Sequence, residues 1–161
     1  MKRVELYIGL GANLGAATDT IHRAAAQLAR HPGLADVQMS PLYRTAPIDS
    51  SGPDYINAVA QATTLLSPQE VLRLLQAIER VFGRERPYRN APRTLDLDLL
   101  LYGDCQLNSP ELTLPHPRMA ERAFVLRPLA DLRPGLALPQ GRLDALLVAC
   151  ADQAIERLDP A

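Results

Sequence analysis

The sequence predicts an α+β fold in which helices pack on an antiparallel sheet, followed by a C-terminal extension. Three observations support this prediction. Strand-like and helix-like segments alternate in the order β-α-β-β-α-β, which is the ferredoxin-like arrangement. Turn-forming residues separate the segments. The length of 161 residues suits one domain with a sizeable core, and we expect a single domain over residues 1–161.

A glycine-rich stretch joins the first predicted strand to the first predicted helix. Residues 4–10 favour a strand, and residues 18–30 carry an apolar stripe with helical spacing. The stretch GLGANLG at residues 9–15 has the spacing G-x-G-x-x-x-G, which does not match the dinucleotide-binding fingerprint. The predicted element order also lacks the parallel β-α-β unit that this fingerprint requires. We therefore interpret the stretch as a tight structural connection.

The next two strands are predicted over residues 37–45 and 55–66, the second with small side chains on one face. The stretch PIDSSGP at residues 47–53 is a loop by composition. Two strands separated by such a loop can pair in antiparallel fashion, which agrees with the fold class.

The second helix begins at the clearest local signal in the chain. Ser67 suits the N-cap, Pro68 the first helical position and Glu70 the third, so that Ser67 and Glu70 form a capping box. We predict that the helix continues to about residue 82 because apolar residues recur at helical spacing.

The remainder of the chain is predicted from weaker local patterns. A polar loop over residues 84–92 leads to a strand over residues 94–102. The predicted elements that follow are a turn with short strands over residues 104–114, helical segments near 119–124 and 126–132, and a C-terminal helix over 144–157.

Composition and charge exclude some classes of partner. The 17 basic and 18 acidic residues give a net charge of −1, so the chain as a whole does not attract nucleic acid or an acidic membrane. Glu5 interrupts the N-terminal apolar run, which is too short for a membrane span. Cys105 and Cys150 have no metal-binding spacing, which favours a reduced setting. We expect a cytoplasmic monomer that binds neither nucleic acid nor a membrane.

Two carboxylates inside an apolar strand give the strongest indication of chemistry. Asp96 and Asp98 alternate with leucines, and residues i and i+2 of a strand project to the same face. Two buried like charges are costly unless a cation compensates them. The alternative is a solvated face of an edge strand, but the flanking leucines favour a central, buried strand, and aspartate is disfavoured inside strands. Arginines crowd the preceding loop: Arg84, Arg86, Arg89 and Arg93.

These charges are compatible with two arrangements. The carboxylates and arginines can neutralise each other as a salt-bridge cluster. They can also form a site in which Mg²⁺, held by the carboxylates, and guanidinium groups bind a polyphosphate. The residue chemistry alone leaves both arrangements open.

Three further residues are candidates for ligand contact. His116 lies between Pro115 and Pro117, which restrict its backbone and suit a preorganised donor to phosphate, although a lone histidine is more often structural. Tyr55 and Phe124 belong to a chain in which aromatic residues are scarce, at 4%. They are either core residues or a pair that sandwiches a flat heterocycle.

Taken together, these motifs resemble those of the 6-hydroxymethyl-7,8-dihydropterin pyrophosphokinase family. The stretch RNAPRTLDLDLL at residues 89–100 is similar to the signature of that family. Shorter matches follow the same order along nearly the whole chain, at residues 11–13, 43–47, 54–58, 78–79, 83–84, 114–117 and 122–124. No short match is specific by itself, but the colinear set is.

The resemblance implies an activity in folate biosynthesis. Pyrophosphate would pass from ATP to the hydroxymethyl group of the pterin, with release of AMP and with two Mg²⁺ ions as cofactors. In such a reaction the substrate hydroxyl attacks the β-phosphorus, so that positioning and charge neutralisation dominate catalysis.

The resemblance also implies a role for each matching residue. Asp96 and Asp98 would hold the metal ions, and Arg84 and Arg93 would act with them in catalysis. The implied ATP-binding residues are Glu79, Arg84, Arg93, Leu99, Thr113, His116 and Arg122. The implied pterin-binding residues are Thr45, Ala46, Ile48, Tyr55, Asn57 and Phe124, with the two aromatic rings on opposite faces of the pterin.

The chain departs from the family pattern near the nucleotide site. It lacks the tryptophan that better-known bacterial members carry before the signature proline-arginine pair, and Asn90 stands at about that place. The loop over residues 84–92 is one residue shorter. Glu111 replaces a residue that is often basic, and Pro117 replaces one that is commonly aromatic. These changes leave both candidate metal ligands in place.

Two other classes of function remain open at this level. One is a ferredoxin-like regulatory module that binds a nucleotide or pterin without turnover. The other is a nucleotidyltransferase that uses the aspartate pair to move a nucleotidyl group. The pyrophosphokinase would release AMP, whereas the nucleotidyltransferase would release pyrophosphate.

Overall fold

The main sheet and its helices are described by a computed structural model, which covers residues 2–13, 16–46, 54–83 and 95–158. The strands of the main sheet are β1 (Val4–Ala12), β2 (Ala35–Met39), β3 (Tyr43–Thr45), β4 (Tyr55–Thr64), β5 (Asp96–Tyr102) and β10 (Glu156–Arg157). Two short hairpins consist of β6 (Leu107–Asn108) with β7 (Thr113–Leu114), and β8 (Ala137–Leu138) with β9 (Gly141–Arg142). The helices are α1 (Ala17–Arg30), α2 (Pro68–Phe82), α3 (Ala123–Leu132) and α4 (Leu143–Ala149), with a 3-10 turn at Met119–Glu121.

The strand order of the main sheet confirms the predicted fold class. The order is β10-β3-β4-β1-β5, with β2 also paired to β4, and all of these pairings are antiparallel. β2 and β3 together occupy the place of the second strand of a ferredoxin-like core, and β5 occupies that of the fourth. The short C-terminal strand β10 extends the sheet beyond this core.

The two faces of the sheet carry separate apolar cores. Side chains of β1 such as Leu6 and Ile8 face α1 and α2, where Leu28 and Leu75 are completely buried. The opposite face packs against α3, with Leu126 at the centre of the second core. Each large side chain buried in this way contributes about 2 kcal/mol relative to its exposed state. Both faces of the sheet are therefore fixed by packing, and only part of the α3 face is left for a ligand.

The predicted start of the second helix is confirmed. The Ser67 hydroxyl accepts from the backbone N–H of Glu70 at 3.1 Å, and the Glu70 carboxylate accepts from the backbone N–H of Ser67 at 2.9 Å. This reciprocal pair satisfies two donors that a helix start leaves without intrahelical acceptors. The cap fixes the start of α2, which packs against β5.

The predicted second strand is divided in two. Ser40 and Pro41 separate β2 from β3, and Pro41 has no N–H to donate to a neighbouring strand. The Ser40 hydroxyl instead accepts from the backbone N–H of Val59 at 2.9 Å, so the side chain replaces a backbone acceptor at the break. The hydrophobic pattern indicated a strand but could not show this interruption.

The prediction of a C-terminal helix over residues 144–157 is wrong in its second half. Helix α4 ends at Ala149, and after a turn the chain forms β10, which pairs with β3. The backbone N–H of Leu158 also donates to the carbonyl of Leu42 at 2.8 Å. Pairing with the sheet edge overrides the local helical tendency, because it satisfies backbone groups of both strands.

The prediction that the aspartate strand is central is also wrong. β5 lies at the end of the sheet and pairs with β1. Its leucines are buried because an apolar core lies on each face: Leu97 and Leu99 belong to one core, and Leu100 to the other. On the outer edge, the backbone N–H of Leu97 donates to a carboxylate oxygen of Glu79 at 2.9 Å. An edge strand with both faces covered thus has the apolar pattern of a central one.

A buried tyrosine connects the sheet to α3. The hydroxyl of Tyr43 donates a hydrogen bond to the carboxylate of Asp131, while its ring is 3% exposed. Burial, followed by the hydrogen bond to Asp131 and the charge of that carboxylate, raises the pKa of Tyr43 to about 12.

We predict that Tyr43→Phe reduces the loss of stability at alkaline pH. The folded-state pKa lies above the ordinary value of 10, so the contribution of Tyr43 is present below pH 10 and is lost as the pH rises to about 12. Urea unfolding at about pH 9 and about pH 11 should show a smaller decrease for the variant than for the parent chain. Equal decreases in the two proteins would contradict this assignment.

Candidate active site

The candidate site lies where β5 carries its two carboxylates and β1 carries two glycines. In the register of these strands Asp96 is opposite Gly11 and Asp98 is opposite Gly9. Paired residues of antiparallel strands share a face, and glycine has no side chain there. The aspartates consequently stand beside a strip of bare backbone on the face that α3 covers only in part. The stretch beginning at Gly9, which we interpreted as a turn, is still strand up to Ala12.

A cavity of about 430 Å³ occupies this space between the sheet, α3 and the C-terminal segment. It brings together two groups of residues that the sequence singled out. The residues predicted for metal and phosphate are Asp96, Asp98, His116 and Arg122. The residues predicted for a flat ring are Thr45, Ala46, Tyr55, Asn57 and Phe124. These side chains lie far apart in sequence, and the sheet brings them to one cavity.

Asn57 is a buried polar group in the wall of the cavity. It is 6% exposed, and its amide nitrogen donates to the hydroxyl of Thr45 at 3.2 Å. A Cβ atom placed on Gly11 would lie 3.0 Å from the amide oxygen of Asn57, closer than ordinary van der Waals contact. Glycine at this position therefore allows the Asn57 side chain of β4 to lie against the backbone of β1. This arrangement suits hydrogen bonding to the edge of a polar ring.

Arg122 and Phe124 form a second wall at the start of α3. The guanidinium carbon of Arg122 lies 5.4 Å from the centre of the Phe124 ring, which is a cation–π distance. Both side chains line the cavity and both are half-buried. The contact places an aromatic face and a positive charge next to each other.

His116 is held in one orientation by two backbone contacts. The backbone N–H of His116 donates to the carbonyl of Leu100 at 3.0 Å. The imidazole Nδ1 accepts from the backbone N–H of Arg118 at 3.2 Å. Burial lowers the pKa of His116, and the charges of Arg122 and Arg118 act in the same direction, whereas Asp98 opposes them. A neutral imidazole whose Nδ1 is an acceptor carries its proton on Nε2. His116 can therefore donate one hydrogen bond at neutral pH without adding a full charge.

The carboxylate pair fits a divalent cation that prefers oxygen ligands. Asp96 is half-buried and Asp98 is exposed, so a cation could keep water or phosphate oxygens as its other ligands. Within the described residues, no group of three or more His, Cys, Asp and Glu side chains forms a closed metal site. Two carboxylates without a closed ligand set match the way Mg²⁺ is bound together with substrate phosphates.

Three of the residues implied for ATP binding are not among those that line this cavity. Leu99 is 3% exposed, and its side chain belongs to the core beneath α1 and α2. Glu79 accepts from the backbone of Leu97 at the edge of β5. Thr113 lies in the β6–β7 hairpin. Ile48, Arg84 and Arg93 lie outside the described residues, as does the whole loop over residues 84–92.

The structure adds residues to the cavity that the sequence did not indicate. Gly9, Gly11, Gln153 and Ala154 contribute to its lining. The glycines are two positions apart in a strand, and this spacing was an available sign of a bare strand face. Gln153 and Ala154 carried no comparable signal, because their position depends on how the C-terminal segment folds back.

The comparisons with known proteins identify the family to which the chain belongs. Residues 7–134 match the family model described as 7,8-dihydro-6-hydroxymethylpterin-pyrophosphokinase. A relative from Pseudomonas aeruginosa, named 2-amino-4-hydroxy-6-hydroxymethyldihydropteridine pyrophosphokinase, is 47% identical over 155 residues, with 95% of this chain and 96% of the relative covered. A relative of the same name from Haemophilus influenzae is 38% identical, with 98% and 99% covered.

Solved structures support the fold independently. A Plasmodium falciparum HPPK-DHPS structure matches with a TM-score of 0.71 at 14% identity, over 92% of this chain. The aligned region amounts to 45% of that larger chain. This likeness concerns the fold alone.

The fold and the comparisons define an enzyme of the transferase class, a pyrophosphokinase. More particularly, the chain belongs to the 7,8-dihydro-6-hydroxymethylpterin-pyrophosphokinase family. Among the described residues, no helix is both long enough and apolar enough to cross a membrane.

We predict that the pKa of His116 lies below its ordinary value of 6.5 and falls further in Asp98→Asn. The variant removes a neighbouring negative charge that raises this pKa, so the protonated imidazole loses stabilisation. Nitrogen-detected NMR titration in metal-free buffer gives both the pKa and the tautomer. Asp104→Asn, at an exposed position outside the cavity lining, is the matched control. The same His116 pKa in Asp98→Asn and in the parent chain would contradict the geometry.

Proposed function

We propose that this enzyme transfers pyrophosphate from ATP to 6-hydroxymethyl-7,8-dihydropterin in an Mg²⁺-dependent reaction of folate biosynthesis and releases AMP. One observation carries the proposal: the paired carboxylates of Asp96 and Asp98 share a single cavity with Tyr55, Asn57 and Phe124. A cation and phosphate site is thus adjacent to a pocket suited to a flat, polar ring. Family membership supports the same substrates.

The proposed reaction is a displacement at the β-phosphorus of ATP. The hydroxyl oxygen of the pterin forms a bond to this phosphorus, the bond to the oxygen shared with the α-phosphorus breaks, and AMP leaves. Two Mg²⁺ ions held by Asp96 and Asp98 would, when bound, neutralise phosphate charge and favour loss of the hydroxyl proton. Positioning both substrates in one cavity is then the main contribution of the protein.

The residues around the carboxylates have complementary roles in this proposal. His116 donates from Nε2 to a phosphate oxygen, and Arg122 adds a positive charge on the α3 side. Arg84 and Arg93, as the family resemblance implies, supply further positive charge to the phosphates. Such donors stabilise the charge that develops on the transferred group.

The proposed pterin pocket combines stacking with edge recognition. Tyr55 and Phe124 provide the aromatic surfaces, and the amide of Asn57 provides a buried donor and acceptor. Thr45 holds that amide through the hydrogen bond at 3.2 Å, and Ala46 adds apolar surface. A contribution from Ile48 follows from the resemblance.

The other residues implied for ATP have narrower roles in this proposal. Leu99 would offer backbone groups rather than its buried side chain, and Glu79 would act by holding β5 through Leu97. Thr113 stays a prediction from the family resemblance. The single domain over residues 1–161, the monomeric state and the cytoplasmic location also stay predictions.

Product analysis tests the proposal directly. The chain is incubated with Mg-ATP and 6-hydroxymethyl-7,8-dihydropterin, and the nucleotide products are separated and quantified. We expect one AMP for each pterin diphosphate formed. ADP as the product would indicate an ordinary kinase, pyrophosphate a nucleotidyltransferase, and no turnover a binding module; each of these results would contradict the proposal.

We predict that Asp98→Asn reduces kcat by at least about 100-fold, because it removes one charged oxygen ligand from the cation site. The side chain is exposed, so the variant should retain the circular dichroism spectrum and melting temperature of the parent chain. Asp104→Asn is the matched control and should keep full activity. Parental turnover by Asp98→Asn would refute the assigned metal site.

We predict that Phe124→Ala weakens pterin binding about tenfold and changes ATP binding by less than about twofold, because stacking on one ring face is lost. Calorimetry with each ligand separately measures the two dissociation constants. Val148→Ala, which truncates an apolar side chain that is 76% exposed, is the control for general effects. An equal loss for both ligands would place Phe124 outside the pterin pocket.

A further inference from the structure

The C-terminal segment closes one side of the active-site cavity although it lies beyond the part matched by the family model. That match ends at residue 134, whereas Gln153 and Ala154 line the cavity. The segment is anchored on the other side by β10, which pairs with β3 next to Thr45. It therefore connects two walls of the cavity, one at the start of α3 and one at the end of β3.

The side-chain amide of Gln153 makes two hydrogen bonds to the chain around Arg122. Its oxygen accepts from the backbone N–H of Ala123 at 2.9 Å, and its nitrogen donates to the carbonyl of Glu121 at 2.8 Å. The two partners are the residues immediately before and after Arg122. The amide thus bridges the junction between the 3-10 turn and α3.

This bridge performs the function of a helix cap. Ala123 is the first residue of α3, and Arg122 at the N-cap position makes no side-chain hydrogen bond to the helix. The first N–H groups of a helix have no intrahelical acceptor, and a cap normally supplies one from the adjacent residue. Here the acceptor comes from a residue 30 positions later in the chain. The orientation of the α3 start consequently depends on the C-terminal segment.

We propose that Gln153 is a positioning residue of the active site, and that it holds Arg122 and Phe124 in place for binding of the pterin. The proposal rests on the proposed function for the identity of the ligand. Arg122 is fixed between the two hydrogen-bonded residues, and its guanidinium lies over Phe124. Loss of the amide frees this junction without removing any side chain that was assigned to the pterin or the phosphates.

The test compares Gln153→Met with the matched control Gln140→Met. Methionine keeps the length of glutamine but removes both amide hydrogen bonds. Gln140 is an exposed residue in the turn between β8 and β9. Calorimetry gives the affinity for 6-hydroxymethyl-7,8-dihydropterin, and hydrogen exchange reports protection of the Ala123 amide. The melting temperature is measured in parallel. If Gln153→Met does not fold, Gln153→Glu, which retains an acceptor for Ala123 and loses the donor to Glu121, replaces it.

We expect Gln153→Met to weaken pterin binding about tenfold and to lose protection at Ala123, since the buried backbone N–H of Ala123 is then left without its acceptor. The Gln140 variant should match the parent chain in both measurements. Unchanged pterin affinity in a variant with a lowered melting temperature would show a purely structural role and overturn the proposal. Failure of the parent chain to bind the pterin would instead refute the proposed function, and the exchange measurement would still report on the bridge itself.

Discussion

The pairing of two aspartates on β5 with two glycines on β1 is the constraint on which the site depends. Asp96 and Asp98 project from the same strand face, and the opposing positions on β1 carry no side chains. A Cβ atom at Gly9 would already be in van der Waals contact with the Leu100 side chain, at 3.5 Å. At Gly11 it would also approach the amide of Asn57 too closely. The bare backbone therefore creates room for a charged ligand directly above a rigid sheet.

One face of the sheet is packed and the other carries the site, and the packed face explains why the site is rigid. The face beneath α1 and α2 is mainly apolar, and the leucines that alternate with the aspartates are buried there. Leu97 and Leu99 therefore fix the direction in which Asp96 and Asp98 point, because a shift by one residue would exchange the two faces. The backbone of β5 is further held at Leu97 by the carboxylate of Glu79. Packing of the leucines on one face thus positions the two aspartate side chains on the other.

Much of this arrangement could be predicted from the sequence, because it rests on local patterns. The capping box at Ser67 and the alternation of aspartate with leucine involve neighbours in the chain, and both follow from short-range rules. The colinear family motifs gathered Tyr55, Asn57, His116, Arg122 and Phe124 before the structure placed them in one cavity. Arg84, Arg93 and Ile48 were predicted in the same way and lie outside the described residues.

The features that the sequence did not reveal are those decided by distant partners. The C-terminal segment was predicted to be helical, yet its end pairs with β3. The edge position of β5 was hidden because an apolar core lies on each of its faces. The glycines of β1 were interpreted as a turn because their strand partners were unknown. Gln153 gave no sign of its role, since the helix start that it caps is 30 residues away.

The most direct test of the central claim is to count the divalent cations bound beside the carboxylate pair. Electron paramagnetic resonance with Mn²⁺ in place of Mg²⁺, in the presence of a non-hydrolysable ATP analogue, measures bound ions in the parent chain and in Asp96→Asn and Asp98→Asn. The account predicts two bound ions in the parent chain and weaker or incomplete binding in each variant. Equal binding in all three proteins would contradict it, because the cations would then be held elsewhere.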